Sequence, residues 1–181
     1  PLHMVISPYP NQHEARVTIG DDLHLFIRPI RPEDAQLLVD LFEQLSPQSV
    51  YFRFFTPLKQ IPHRMLARFT QIDYDREIAL AAIEETEDGD RMLGVARVIV
   101  ERNPKKGEFA VLVGDAWQGT GIGAQLLLRC LRIAKEMGMQ SVSGIVLPEN
   151  RQMQALGRKL GFSVQGDVCG EYTLSIDLDR L

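Results

Sequence analysis

The chain has 181 residues, 45% of them hydrophobic and 24% charged, which is enough for one domain with a substantial core and ordinary for a globular protein in water. A formal charge of −4 with no basic run argues against nucleic acid as a partner, and no apolar run is long enough to engage a membrane by spanning it. Two cysteines are too few for a disulfide scaffold, so a reducing cytoplasm is the expected compartment, and four scattered histidines without ligand spacing lead us to expect no metal.

The chain opens Pro1-Leu2-His3-Met4, which reads as a cloning remnant, and Val5-Ile6-Ser7-Pro8-Tyr9-Pro10 reads as extended linker. Residues 1–20 are therefore assigned to remnant and linker and residues 21–181 to a single domain, excised from a longer protein. A first strand is expected over 23–27. Pro32-Glu33-Asp34 then opens a helix, with proline and acids where a first turn favours them, and Ala35, Leu38, Leu41, Phe42 and Leu45 form its apolar face. Ser46-Pro47 starts a second helix, in which Tyr51, Phe52, Phe54 and Phe55 read mostly as core aromatics at helical spacing, with one of them as a candidate lining of a substrate entrance. A third helix covers 63–70. Residues 78–83 form a buried strand that turns at Glu87-Asp88-Gly89-Asp90 into a strand over 93–100, and 103–107 connect to a strand over 108–113.

From Ile122 the apolar positions recur with helical period as far as Gly138, with Cys130 on the apolar face, where it reads as buried and inert. A strand over 142–147, a helix that Asn150 caps through Leu160, and two last strands complete the chain, with Cys169 in their hairpin. The fold class is α/β, with antiparallel hairpins first, then β-α-β-α-β-β, and helices on both faces of the sheet.

One segment carries chemistry. Trp117-Gln118-Gly119-Thr120-Gly121-Ile122-Gly123-Ala124 lies between a strand and a long helix. Its glycines allow close backbone approach, and the helix start leaves amides free at the positive end of the dipole, which suits a phosphate or diphosphate. A plain turn is the structural alternative. A P-loop is excluded, since no Gly-Lys-Ser/Thr follows. Gly119, Gly121 and Ala124 satisfy a dinucleotide fingerprint, but Gly114-Asp115-Ala116-Trp117-Gln118 separates them from the strand, and antiparallel strands precede. No cysteine or serine pairs with a histidine in a way that would favour an acyl-enzyme.

Gln118-x-x-Gly121-x-Gly123 resembles the Gln/Arg-x-x-Gly-x-Gly/Ala loop of the GNAT acetyltransferase superfamily, and residues 23–178 follow that family's order of elements. Ile30-Arg31-Pro32-Glu33-Asp34, Tyr51-Phe52-Arg53-Phe54-Phe55, Gln71-Ile72-Asp73-Tyr74-Asp75-Arg76-Glu77 and Glu108-Phe109-Ala110-Val111-Leu112-Val113 resemble the acetyltransferase domain of bacterial Pat-type protein lysine acetyltransferases. The resemblance implies a GNAT fold, a mixed, mostly antiparallel twisted sheet of six to seven strands. It implies acetyl-CoA as co-substrate, with its pyrophosphate on the backbone of Gln118, Gly119, Thr120, Gly121, Ile122, Gly123 and Ala124 and its pantetheine along Val111, Leu112 and Val113. Asn150 is either a cofactor contact or only a cap.

An amine attacks a thioester only when neutral, and a lysine with pKa about 10.4 is neutral in under about one part in a thousand at pH 7. Glu108 shares a strand face with Ala110 and Leu112 and reads either as a solvated strand end or as the base. The resemblance implies the catalytic role. Gly157 stands where relatives carry a tyrosine acid, so no general acid carries over, and a glycine within that helix points to a close approach there, with the cofactor as candidate.

The expected activity is direct acetyl transfer to a lysine ε-amine of a protein, such as an AMP-forming acetyl-CoA synthetase, and an acyl-CoA-synthetase-like parent region is the other expected partner. A small-molecule amine acetyltransferase and a non-catalytic acetyl-CoA sensor are the alternatives. Asp73, Asp75, Glu77 and residues 84–90 offer an acidic rim that would attract a lysine-bearing surface.

Overall fold

The structure, a computed structural model, describes residues 7–168 and 170–181. The remnant reading of residues 1–4 and the hairpin placement of Cys169 lie outside the described residues. In chain order the elements are β1 (Ala15–Ile19), β2 (Leu23–Pro29), α1 (Ala35–Glu43), α2 (Pro47–Phe54), α3 (His63–Thr70), β3 (Glu77–Thr86), β4 (Gly89–Val100), β5 (Lys106–Val113), α4 (Ile122–Glu136), β6 (Ser141–Val146), α5 (Arg151–Leu160), β7 (Ser163–Gly166) and β8 (Tyr172–Asp177). The described strands form one sheet in the order β1-β2-β3-β4-β5-β6-β8-β7. All neighbours are antiparallel except β5 and β6, which α4 connects as a parallel pair.

The sheet divides the core in two by the period of two along its central strand. Ile78, Leu80 and Ala82 face the side covered by α4, while Ala79, Ala81 and Ile83 face the side covered by α1 and α3. Leu126, Leu127, Cys130, Leu131 and Ala134 of α4 fill the first layer, and Leu38, Leu41 and Phe69 fill the second. Burial pushes the Cys130 thiol up to about 12, so it stays protonated packing material. Leu93 is the extra residue of a bulge opposite Ala82 and Ile83, which shifts the side-chain alternation of β4 by one position.

The stretch assigned to a linker contributes a strand. Ala15–Ile19 pairs antiparallel with β2 at the sheet edge, which brings the strand count to eight. Its Ala15, Val17 and Ile19 alternate with Arg16 and Thr18 before a Gly20-Asp21-Asp22 turn, a strand signature that the preceding prolines masked. Upstream, Tyr9 anchors this region by donating from its hydroxyl to the Pro29 carbonyl at 3.2 Å. Where β2 runs into α1, the buried Arg28 guanidinium donates two bonds of 2.7 Å to the Asp34 carboxylate, and Asp34 also accepts from the Arg31 amide. The Arg31-Pro32-Glu33-Asp34 block thus fixes the entry of α1.

The aromatics of α2 are not core. Only Val50 of that helix is buried, while Tyr51 and Phe55 are 44% and 46% exposed. Phe54 alone packs inward, with ring centroids 6.0 Å from Phe42 and 6.2 Å from Phe69. The helix packs against β5, and Phe52 and Phe55, but not Tyr51, line a cleft beside it. The acidic rim is also dispersed: Glu84 pairs with Arg91, Glu85 with Arg16, and Glu77 with Arg97.

Candidate active site

β5 and β6 pair only from Lys106 to Glu108 against Ser141 to Ser143, and beyond that point they part. The wedge has a cause. The ring of Phe109 occupies the space above Gly144, where an added Cβ would lie 2.6 Å from the ring edge, and it meets Phe162 edge-on at 5.1 Å. An aromatic ring therefore stands where the next rung of parallel pairing would bring side chains together. The opening is a cleft of about 660 Å³ walled by β5, α2, the 117–124 loop, the end of β6 and α5.

At one end the glycine loop presents main chain. Gly119 and Gly121 take φ of 78° and 100°, left-handed values that an L side chain resists. No side chain caps α4, and among the described residues the amides of 119 to 124 donate to no protein acceptor. Six unpaired amides at the positive end of a fifteen-residue helix form an anion cradle. Gly123 serves a different need: a Cβ there would press on Leu156 at 3.3 Å, so its absence lets α4 lie close to α5 and β5.

Gln118 is a brace. Its side-chain amide donates to the Val113 carbonyl at 3.0 Å and to the Ser49 hydroxyl at 3.1 Å, tying loop, strand and α2 together. Thr120 folds its hydroxyl back onto the Trp117 carbonyl at 2.5 Å, and the Ile122 side chain is buried, so these two offer only their backbone.

Glu108 stands at the other end, exposed, where β5 and β6 separate. It is five residues from Val113, about 17 Å along an extended strand. Ala110 and Leu112 share its face toward α2, whereas Val111 and Val113 face α4, within reach of a side chain at position 123. Beyond Glu108 the β6-facing edge of β5 has no strand partner, which leaves backbone groups for an amide-bearing chain laid along it. Asn150 lines the cleft, and its side chain accepts from the Met153 amide at 3.1 Å, so the capping role is realised.

The cleft thus gathers Glu108, Val111, Leu112, Val113, Gln118, Gly119, Gly121, Gly123, Ala124 and Asn150. Gly157 differs from its reading. A Cβ there would meet Leu174 at 2.4 Å, so the close approach is made by a core leucine, and the space of a tyrosine is filled from β8.

Sequence reasoning missed Phe109 and Arg53; it offered one aromatic of the Tyr51–Phe55 block as a lining residue, and the structure puts both Phe52 and Phe55 in the cleft wall. Phe55 ends α2 with φ of 60°, a strained value for a bulky residue, and that turn aims its ring at the cleft. Arg53 reaches the cleft with its guanidinium 4.9 Å from the Phe54 ring and 5.5 Å from the Phe69 ring. Burial, and then the charges of Arg97 and Arg68, pull its pKa down to about 10, while Glu108 acts in the opposite sense. Behind it Arg97 is paired with Glu77 at 3.2 Å and bonded to the Phe69 carbonyl. No group of His, Cys, Asp or Glu among the described residues has the arrangement of a metal site.

A family model for the acetyltransferase (GNAT) domain matches residues 24–163. Acetyltransferase PA5475 of Pseudomonas aeruginosa is 31% identical over 151 residues, covering 83% of this chain and 81% of that protein. Acetyltransferase Pat of Mycolicibacterium smegmatis is 28% identical over 162 residues, 88% of this chain but 46% of that protein, so the chain spans under half of that relative's length. Among solved structures, the GNAT domain of S. lividans PAT is 31% identical with a TM-score of 0.85, covering 94% of this chain and 99% of that one.

Proposed function

The chain belongs to the GNAT acetyltransferase family, and from that premise we propose that it transfers the acetyl group of acetyl-CoA to a lysine ε-amine of a protein, with Glu108 as the base. The similarity to S. lividans PAT and M. smegmatis Pat supports a protein acceptor. One observation carries the reading: a free carboxylate stands where β5 and β6 part, and a row of unpaired amides lies past the other end of β5, which is about 17 Å away along the strand at Val113. The amides of 119 to 124 hold the diphosphate, and the open edge of β5 at Val111, Leu112 and Val113 receives the pantetheine amides. Acetyl-CoA, bound there, supplies the acetyl group as a thioester.

Glu108 removes a proton from the acceptor amine, directly or through one water, as the amine's nitrogen bonds the acetyl carbon. Its exposure at the cleft mouth lets it pass that proton to solvent afterwards. No side chain of α5 is assigned as general acid, and a thiol of pKa about 8.5 leaves without one.

Incubation with labelled acetyl-CoA and a cytosolic protein extract, followed by mapping of the label, tests the reading. Label on lysine ε-amines that Glu108→Gln abolishes supports it. Turnover confined to free small amines, or binding of acetyl-CoA without transfer, refutes it.

A further inference from the structure

Arg53 lines the wall of the cleft, and among the described residues it makes no hydrogen bond or ion pair. Ser49, one turn earlier on α2, is tied through Gln118 to the Val113 end of β5. Four residues on, about 6 Å along the helix, Arg53 is carried toward the Glu108 end. It lines the cleft together with Glu108, and with Ala110 and Leu112 it also lines a small adjoining void.

Its surroundings hold it without satisfying it. The guanidinium lies against the stacked Phe54 and Phe69 rings, 4.9 Å and 5.5 Å from their centroids, and Arg97 and Arg68 also approach the Phe69 ring, at 4.5 Å and 5.8 Å from its centroid. Among the described residues no hydrogen bond or ion pair engages Arg53, whereas Arg97 has both, to Glu77 and to the Phe69 carbonyl. Three guanidiniums thus face two carboxylates, Glu77 and Glu108, in a chain whose formal charge is −4. A partly buried guanidinium with unused donors is costly unless an anion arrives, and its planar fork matches a carboxylate.

We infer that Arg53 selects acceptors that carry a carboxylate beside the amine, which in a protein means an Asp or Glu adjoining the target lysine. Naming a protein as the source of that carboxylate rests on the reading above; the guanidinium's need for an anion does not. Arg53 is then a specificity residue. It binds the neighbour of the reacting amine, on the same wall as the base, and leaves the diphosphate end untouched.

The test measures CoA release with paired synthetic peptides that hold one lysine and differ only in whether its neighbour is Asp or Asn. The wild-type protein is expected to favour the Asp peptide about tenfold in kcat/KM, mainly through KM. Arg53→Gln brings that ratio to about one, and Arg53→Lys keeps a reduced preference. A wild-type ratio near one, a ratio unchanged in Arg53→Gln, or an equal loss of kcat on both peptides overturns the inference, the last because it places Arg53 at the reacting atoms. If neither peptide is acetylated, free lysine against its decarboxylated diamine takes their place, and the protein extract decides the protein-lysine reading separately. A preference for lysine that Arg53→Gln removes sustains the inference; no preference, or no transfer to either, overturns it.

Discussion

The two ends of the cleft are built from different materials. The 119–124 end is main chain: its polar groups are amides aimed by a helix start, and its side chains are absent, folded back, buried or, at Ala124, a single methyl. The other end is side chain: Glu108 from β5, and Arg53, Phe52 and Phe55 from α2, with a Phe109 ring at the hinge of the wedge. On the proposed function the main-chain end would take the diphosphate that every substrate pair shares, and the side-chain end would take what varies, because single substitutions there change charge and shape without disturbing the backbone.

The sharpest break comes from Glu108→Gln. It is expected to lower kcat by roughly 10²–10⁴-fold, the usual worth of a positioned base, with acetyl-CoA affinity by calorimetry held within about twofold. A comparable loss of affinity would show that the two ends are not separable. Gly121→Ala breaks the opposite end. At φ of 100° a Cβ is strained by about 1–2 kcal/mol, and relief of that strain turns the amides away. The dissociation constant for acetyl-CoA should rise about tenfold while kcat at saturation stays within a few fold.

Gly144→Ala acts on the hinge. The new Cβ must displace the Phe109 ring from 2.6 Å, at about 1–3 kcal/mol, read as a lower urea midpoint. An unchanged midpoint would mean that the ring does not hold the wedge.

The smallest effect concerns the acceptor wall. With its pKa pulled down to about 10, well below that of the unfolded chain, the Arg53 guanidinium releases its proton in the folded state first. Its penalty on stability is therefore fully present at neutral pH and relieved as pH climbs through about 10. The unfolding free energy of the wild type minus that of Arg53→Gln should rise between pH 8 and 10.5. A flat difference would mean the guanidinium is not strained by its setting.

What could be read without coordinates was what is local. The glycine loop announces itself by spacing, α4 by its 3.6-residue period, β3 by an unbroken apolar run, and Glu108 by its place at the head of a strand. β1 was hidden by its setting: five alternating residues behind two prolines look like linker until a partner strand is known. Tyr51, Phe52, Phe54 and Phe55 have helical spacing, but which of them is covered depends on where α2 crosses β5. Arg53 lay inside that aromatic block and drew no notice, since nothing in its neighbours along the chain says that Arg97 would be paired and Arg53 would not. Gly157 shows the converse error, a glycine explained by an absent ligand when Leu174, far along the chain, supplies the contact.

The Gln118 side chain spans three segments at once, from the loop to the Val113 carbonyl and the Ser49 hydroxyl. Exchange of a residue downstream of it alters one contact, but inserting or deleting one would slide six amides past a fixed peg and lift α2 from its seat. Over time this turn should therefore drift freely in composition at its outward-facing positions and hardly at all in length.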